Sequence, residues 1–208
     1  MKTMFMDTST QNLFVGFFED NNIIYYYTQA GNNNHSDYLL TNIENGLKEH
    51  DLKVSDFDRI IVGIGPGAYT GLRVGLTVAK MFSWTLNIPL YTISSLDILF
   101  TGVKNDGIYP VATKAKKDYV YSKVLEIKNG NYNVLKEEVF LEKTLFLESL
   151  KQYNVTKFID ENNFELDLLN LERFITKVED VTFLEPNYLR GEMWNIIFVK
   201  WQLMILMK

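Results

Sequence analysis

The chain contains no cysteine and only two histidines, His35 and His50, among its 208 residues. The absence of cysteine excludes disulfide bonds, zinc thiolate sites and catalysis by a thiol. The two histidines lie too far apart for a paired spacing of metal ligands, and no serine, histidine and aspartate arrangement is indicated. The sequence therefore predicts no metal site and no catalytic residue in this chain.

A basic surface is also lacking, since 21 lysines and arginines are outnumbered by 26 aspartates and glutamates, and the formal net charge is −5. Binding to the phosphates of nucleic acid needs clustered lysine and arginine. The composition therefore argues against a broad nucleic-acid surface on this chain.

The sequence has no long uninterrupted hydrophobic run. The most apolar stretch, residues 194–207, is interrupted by Lys200 and Gln202, whereas a membrane-spanning helix needs about 20 apolar residues. We expect this stretch to form a packed amphipathic helix rather than a membrane anchor. Because Asp7 and a polar run follow soon after the start, no secretory signal is visible, and we expect a cytoplasmic protein.

The most informative feature that the sequence does contain is a glycine-rich turn between a buried strand and a helix. An apolar run from Arg59 to Ile64 leads into Gly65, Pro66 and Gly67, and a helical pattern follows from Thr70 to Leu86. Glycines permit positive φ and close backbone approach, and the start of a helix attracts anions. The turn is therefore a candidate either for phosphate binding or for tight packing.

Two common phosphate loops do not match this turn. A Walker A loop ends in Gly-Lys-Ser or Gly-Lys-Thr, whereas this sequence reads Thr70-Gly71-Leu72-Arg73. The dinucleotide fingerprint requires a third glycine where Thr70 stands. A P-loop is therefore excluded, and a Rossmann fold is not favoured.

The helix after the turn has small residues at every fourth position, namely Gly71, Gly75, Ala79 and Ser83. Residues with this spacing lie along one face of a helix, although each internal glycine costs about 1 kcal/mol relative to alanine. Small side chains let another backbone approach closely. That backbone belongs either to the chain's own sheet or to a partner helix.

The order of apolar runs in the first hundred residues predicts the elements β-β-β-α-β-α-β. After residue 100 a cluster of loop-forming residues indicates a domain boundary, namely Gly102, Asn105, Asp106, Gly107 and Pro110. Beyond it, Asn129-Gly130 predicts a hairpin, and the later segments predict helices at 141–152 and 164–177, with a strand at 157–160 between them.

These elements predict two domains and a terminal helix. The N-terminal domain is expected at 1–100 and contains the glycine-rich turn. A smaller α/β domain is expected at 101–190. The chain would end in a helix at 191–208 that returns to the first domain.

Several segments resemble the TsaB family in the same order. The main one is the run from Gly63 to Arg73, which is followed by Asn87 to Leu90 and by Ser94 to Leu96. The opening run Met6 to Thr10 and the late run Glu185 to Arg190 are similar to the same family. This resemblance covers most of the first hundred residues. It implies an α/β protein of the actin-like ATPase fold (ASKHA or RNase H-like) with two α/β domains.

The resemblance also implies a function in tRNA modification. A family member would be a noncatalytic scaffold subunit of the complex that transfers threonylcarbamoyl from its adenylate to adenosine 37 of tRNAs reading ANN codons. The implied partners are a TsaD-like catalytic subunit and a TsaE-like ATPase. We expect a homodimer when the chain is alone, and tRNA contact only through the complex. An independent small-molecule kinase or ATPase of the same fold is the alternative.

Two sets of candidate site residues follow. The turn after the first strand resembles the first phosphate loop of actin-like folds, although a hairpin turn held by Asp, Ser and Thr side chains explains the same residues. No cofactor is expected in this chain, and ATP or ADP is a candidate ligand only at the partner interface. The weak nucleotide-binding candidates are Asp7, Thr8, Ser9, Thr10, Gly65 and Gly67. The partner-interface candidates are His35, Leu39, Leu40, Ile43, Leu47, Gly71, Leu72, Gly75, Ala79 and Phe82.

Overall fold

The computed structural model describes residues 1–30 and 35–189, without the side chains of residues 35–37. The helix expected at 191–208 lies outside the described residues. The described strands form one sheet of six strands and one of three. Within the described ranges, no helix is both long and apolar enough to cross a membrane.

The strands of the described residues have the following bounds: β1 (Lys2–Asp7), β2 (Asn12–Glu19), β3 (Asn22–Ala30), β4 (Arg59–Gly63), β5 (Leu90–Ile93), β6 (Gly107–Lys114), β7 (Tyr119–Lys128), β8 (Asn131–Glu142) and β9 (Thr176–Lys177). The helices are α1 (His35–Glu49), α2 (Tyr69–Leu86), α3 (Ser95–Phe100) and α4 (Lys143–Ser149). Short 3-10 segments lie at Val54–Asp56, Leu150–Gln152 and Leu168–Arg173.

The larger sheet has the strand order β3-β2-β1-β4-β5-β9. β1, β2 and β3 form an antiparallel meander, whereas β1, β4 and β5 run parallel. The parallel strands need crossover connections, and α1 and α2 supply them. This is the element order that the sequence pattern predicts for the first hundred residues.

Each face of the larger sheet is covered by a different set of elements. On one face, Leu39 of α1 and Leu76 of α2 pack in a core that also contains Met6 and Val62. On the opposite face, strand residues such as Phe5, Phe14 and Ile61 pack with Ile98 of α3 and with Leu168. The sheet is therefore buried on both sides, which explains why its central strands read as continuous apolar runs.

The smaller sheet has the order β6-β7-β8 and lies between α3 and α4. Phe100 of α3 packs with Tyr109 on one face, and Phe146 of α4 packs with Val124 on the other. The turn between β7 and β8 places Asn129 at φ 54° and Gly130 at φ 74°. Both values lie in the left-handed region, which confirms the predicted hairpin and explains this residue pair.

The prediction of a helix at 164–177 is wrong. The segment forms the 3-10 segment Leu168–Arg173 and then the short strand β9, which pairs with β5. Leu168, Leu171 and Phe174 recur every third residue, so a 3-10 turn brings them to one side. The Asp167 carboxylate accepts a hydrogen bond from the Leu169 amide and starts this turn. Residues of the range assigned to the second domain thus join the first sheet.

Two further differences concern the second sheet. Gly107 and Pro110 were expected in a loop but belong to β6, where Pro110 lies opposite Val124. The predicted strand at 157–160 forms only an isolated bridge to β6. The Ile159 amide donates a hydrogen bond to the Pro110 carbonyl oxygen, and the Ile159 carbonyl oxygen accepts one from the Ala112 amide. The segment therefore lies along the open edge of β6 without becoming a fourth strand.

The unexpected packing of the 3-10 segment gives a stability test. Leu168 is buried, and its side chain occupies the space beside Gly16, where an added Cβ would lie 2.9 Å from the leucine Cδ1. We expect Leu168→Ala to lower the free energy of unfolding by about 2–5 kcal/mol in urea denaturation. The neighbouring Leu169 is 40% exposed, so Leu169→Ala should cost less than about 1 kcal/mol. Equal losses in the two variants would contradict this packing.

Candidate functional site

The glycine-rich turn lies at the carboxyl ends of the parallel strands β1 and β4. Because these strands are neighbours, the turn after β4 meets the loop that follows β1. The amide of Ala68 donates a hydrogen bond to the carbonyl oxygen of Ser9 at 2.6 Å. Gly65 bonds to Ser95 of α3 twice, with its amide donating to Ser95 Oγ at 3.1 Å and its carbonyl accepting from the Ser95 amide at 2.8 Å.

Thr8 joins the same loop to the first turns of α2. Its hydroxyl donates to the carbonyl oxygen of Gly71 at 2.6 Å and accepts from the amide of Gly75 at 3.1 Å. A Cβ at Gly71 would lie 1.9 Å from the Thr8 carbonyl oxygen, and one at Gly75 would lie 2.5 Å from Thr8 Oγ1. These glycines are therefore required by a close approach within the chain.

Asp7 is completely buried at the centre of this loop. Its Oδ1 accepts a hydrogen bond from the Ser9 amide and its Oδ2 accepts one from Ser9 Oγ, both at 3.0 Å. Burial raises the pKa of Asp7 from an ordinary 3.8 to about 6, and the hydrogen bonds from Ser9 and Ser95 only partly oppose this shift. The carboxyl thus pays a desolvation cost when it is ionised at neutral pH.

The structure brings together the candidates Asp7, Thr8, Ser9, Gly65 and Gly67, but the polar groups of Asp7, Thr8, Ser9 and Gly65 bond within the chain. A Cβ at Gly67 would lie 2.1 Å from the Ser9 carbonyl oxygen, so the loop itself fills the space beside this glycine. The sixth candidate, Thr10, accepts a hydrogen bond from the Asn12 amide. A bound phosphate would have to displace these contacts. Among the described residues, no group of three or more His, Cys, Asp or Glu side chains could hold a metal ion.

Most of the predicted interface residues pack inside the chain. Leu39, Ile43, Leu72 and Ala79 are buried, and Leu47 and Phe82 are partly buried against the first core. Gly71 approaches the Thr8 carbonyl oxygen and Gly75 approaches the Thr8 hydroxyl, so these two interface candidates face the chain's own first loop rather than a partner helix. Leu40 is the exposed member of the set, and the side chain of His35 lies outside the described part of the chain.

The predicted interface residues do not include the exposed side of α2. Tyr38 of α1 is exposed, and so are Met81 and Trp84 of α2, with 74% of Trp84 accessible. The signal was present in the sequence, because Thr77, Met81 and Trp84 follow helical spacing on the side away from the glycine stripe. We call Met81 and Trp84, which lie three positions apart on α2, the outer helix face.

A buried charged cluster, also missed, connects α3 to the second sheet. Lys123 of β7 forms an ion pair with Asp97 of α3 at 2.8 Å and lies 3.8 Å from Glu138 of β8. The Glu138 carboxylate also accepts hydrogen bonds from the Ser94 hydroxyl and from Asn187 Nδ2. Burial raises the pKa of Asp97 and of Glu138, and Lys123 opposes both shifts. The five residues form one network, which we call the Glu138 network.

A third feature lies at the start of α2. The guanidinium carbon of Arg73 is 4.3 Å from the centre of the Tyr69 ring, and Arg73 Nε donates a hydrogen bond to Tyr188 Oη at 3.0 Å. The rings of Tyr69 and Tyr188 are 5.4 Å apart. Two tyrosines thus hold an exposed arginine beside the glycine-rich turn.

Comparison with known proteins gives concordant results. The family model for TsaD, tRNA N6-adenosine threonylcarbamoyltransferase, matches residues 28–185. The tRNA threonylcarbamoyladenosine biosynthesis protein TsaB of Bacillus subtilis is 31% identical over 157 residues, which cover 73% of this chain and 67% of that protein. YeaZ from Pseudomonas aeruginosa superposes with a TM-score of 0.60 at 25% identity, covering 68% of this chain and 67% of YeaZ.

A second solved structure supports the fold alone. It is described as similar to the peptidase YeaZ from Pseudomonas aeruginosa, and it superposes with a TM-score of 0.71 at 20% identity. This match covers 90% of this chain and 99% of that one.

The sheet order, with the loop after β1 meeting the turn after β4, defines an α/β protein of the actin-like class, and the comparisons confirm this expected fold. More narrowly, the chain belongs to the TsaB family, within the wider group of domains that the TsaD model describes.

The buried carboxyl of Asp7 predicts a specific pH dependence of stability. Its pKa is about 6 in the folded chain against 3.8 ordinarily, so the folded chain binds this proton more tightly. The contribution of protonated Asp7 to the free energy of unfolding is fully present below about pH 4. It decreases as the pH rises to about 6 and is absent at higher pH. The corresponding change in the free energy of unfolding is roughly 3 kcal/mol.

Asp7→Asn should remove this component, so that in urea unfolding the variant gains stability relative to the wild type between about pH 4 and pH 7. Asp51 is exposed at φ 50°, which asparagine tolerates, so Asp51→Asn is the matched control. Wild-type and Asp7→Asn stabilities that run parallel across this range would show that Asp7 titrates normally.

Proposed function

We propose that this chain is a noncatalytic subunit in tRNA threonylcarbamoyladenosine biosynthesis, and that it binds a TsaD-like catalytic subunit through the outer helix face. The observation that carries the proposal is the exposure of Met81 and Trp84, two large side chains on the same face of α2. Large apolar side chains grouped on a surface mark sites of protein association.

The matching family model supports the choice of partner. The chain is similar to a TsaD-type domain over most of its length, so a TsaD-like subunit has the same kind of sheet and the same kind of covering helices. Two related domains can pair through equivalent helices about a pseudo-two-fold axis, in the way that homodimers pair through identical patches. The same face would then form a homodimer when the partner is absent.

Three properties of the chain support a noncatalytic role. The candidate phosphate-binding groups Thr8, Ser9 and Gly65 bond within the protein. The Asp7 carboxyl is enclosed by its own loop. The net charge of −5 disfavours a direct tRNA surface. The threonylcarbamoyl transfer to adenosine 37 of ANN-reading tRNAs would then take place on the TsaD-like subunit, assisted by a TsaE-like ATPase.

The docking part of the proposal is tested by Trp84→Ala. Trp84 is 74% exposed, so the variant should fold normally, yet affinity for the TsaD-like subunit should fall by about 30-fold or more, as for central aromatic residues of interfaces. Isothermal titration calorimetry with the TsaD-like subunit of the same organism provides the measurement. Leu145 is 56% exposed on α4, and Leu145→Ala should bind normally. Equal affinity of both variants would contradict docking on the outer helix face.

The noncatalytic part is tested in the reconstituted complex by mass spectrometry of tRNA nucleosides. Asp7→Asn preserves the size and hydrogen-bonding shape of the buried group, so formation of the modified nucleoside should stay within about tenfold of the wild type, since losing a catalytic acid or base typically costs 10²–10⁴-fold. A loss of about a thousandfold, with the complex still assembled, would mean that Asp7 takes a direct part in the chemistry.

A further inference from the structure

We propose that Arg73 is a receptor for one acidic side chain of the docked partner protein, and that this contact fixes the partner's position along α2. The inference rests on the proposed function, because it concerns the surface beside the outer helix face. The proposed function names a docking surface. The present proposal adds that Arg73 selects for negative charge on the partner and that it binds a carboxylate.

The guanidinium of Arg73 is held in place before any partner arrives. Its guanidinium carbon lies over the Tyr69 ring and its Nε donates to Tyr188 Oη, so neither contact uses the hydrogens of the terminal nitrogens. Among the described residues, no carboxylate lies within ion-pair distance of Arg73, and the raised pKa of this arginine is caused first by Tyr188. An ordered arginine without an acidic partner has the geometry for a bidentate carboxylate contact.

Tyr188 is itself anchored to the body of the protein. The amide of the preceding residue, Asn187, donates to the carbonyl oxygen of Ile64 at 2.8 Å, and its side chain donates to Glu138 at 2.8 Å. The tyrosine that orients Arg73 is therefore held through both the glycine-rich turn and the Glu138 network. Little side-chain entropy remains to be lost when a carboxylate binds, and this favours affinity.

A groove beside Arg73 provides room for the partner. It has a volume of about 440 Å³ and runs along α2, where it is lined by Tyr69, Thr70, Arg73, Val74, Thr77 and Val78. Its walls are mostly apolar, so the groove suits the aliphatic part of a side chain whose carboxylate reaches the arginine. The first turn of α2 contains no acidic residue, and the positive end of the helix adds to the attraction for a carboxylate.

A protein carboxylate fits this site better than a nucleic-acid phosphate. The nearby Lys80 of α2 is occupied, since its Nζ donates to the carbonyl oxygens of Thr182 and Leu184. Among the described residues that line the groove, Arg73 carries the one charge, whereas binding along a phosphate backbone requires several. Farther along α2 the surface continues into the exposed Met81 and Trp84, which is a surface for another protein.

The test measures affinity for the TsaD-like subunit at low and high salt. Arg73→Gln should weaken binding by about 10- to 100-fold at low salt and reduce its salt dependence. Arg73→Lys keeps the charge but loses the planar fork, so we expect an intermediate loss. Tyr188→Phe removes the hydrogen bond to Nε and should cost a few-fold. Arg173 is an exposed arginine 5.0 Å from the Tyr132 ring, outside α2, and Arg173→Gln should bind like the wild type.

A charge-reversal experiment identifies the acidic group. In the Arg73→Glu background, single replacements of surface Asp or Glu residues on the TsaD-like subunit by Lys should include one that restores binding. Wild-type affinity of Arg73→Gln for the partner would overturn the inference while leaving the proposed docking intact. If the wild-type chain does not bind the TsaD-like subunit at all, the proposed function itself fails.

A second copy of the chain is the alternative occupant of this surface, and a separate measurement distinguishes it from the TsaD-like subunit. Sedimentation of the isolated protein measures the dimer, and Arg73→Gln should change its dissociation constant less than it changes affinity for the partner. A weakened homodimer together with unchanged partner affinity would assign the contact to self-association and contradict the proposal.

Discussion

The contact of Thr8 with the first turns of α2 determines the arrangement of the first sheet and its helices. The hydroxyl of Thr8 bonds to the Gly71 carbonyl and to the Gly75 amide. A Cβ at Gly71 would meet the Thr8 carbonyl oxygen, and one at Gly75 would meet the Thr8 hydroxyl. Because α2 begins directly above the end of β1, there is no room for side chains at Gly71 and Gly75. The cost of two glycines inside a helix, about 1 kcal/mol each, is offset by a buried polar contact and by close packing of α2 on β1.

The same contact explains why the loop after β1 and the turn after β4 do not leave an open phosphate site. In a phosphate-binding loop, amides and hydroxyls point at the ligand. Here the amide of Ala68 donates to Ser9, that of Gly65 donates to Ser95, and the hydroxyl of Ser9 faces Asp7. These polar groups are part of the packing, and the surface proposed for docking lies instead on the exposed side of α2.

Much of the first sheet could be predicted from the sequence, because the strands, helices and turns there carry local signals. The apolar runs of the strands and the helical spacing of Leu39, Ile43 and Leu47 depend on neighbours along the chain. The segment after residue 160 could not be predicted in this way, since Leu168 packs on Gly16, far away in the sequence. A repeat of three residues satisfies a 3-10 turn as well as an imperfect α-helix, and only the distant sheet decides between them.

The position of the candidate site could be predicted from the sequence, but its internal hydrogen bonds could not. Glycines and small hydroxyl side chains mark a close approach of two loops, and the structure places Asp7, Ser9 and Gly65 together. The sequence does not reveal which groups bond internally, because that depends on distances of a few tenths of an ångström. Nor did it reveal the Glu138 network, whose members come from α3, β7, β8 and a late segment.

The Glu138 network opposes partial unfolding of the chain. One lysine is shared by two buried carboxylates, and the second carboxylate depends on Ser94 and Asn187 for its remaining hydrogen bonds. Separation of the two sheets would take the donors Ser94 and Asn187 from Glu138 and leave only Lys123 of its own sheet beside it, and release of Asn187 alone would remove one donor. Buried carboxylates without partners are costly. The late segment and the contact between the sheets therefore belong to a single cooperative unit, in which partial opening is disfavoured and the start of α2 keeps its shape until the whole unit opens.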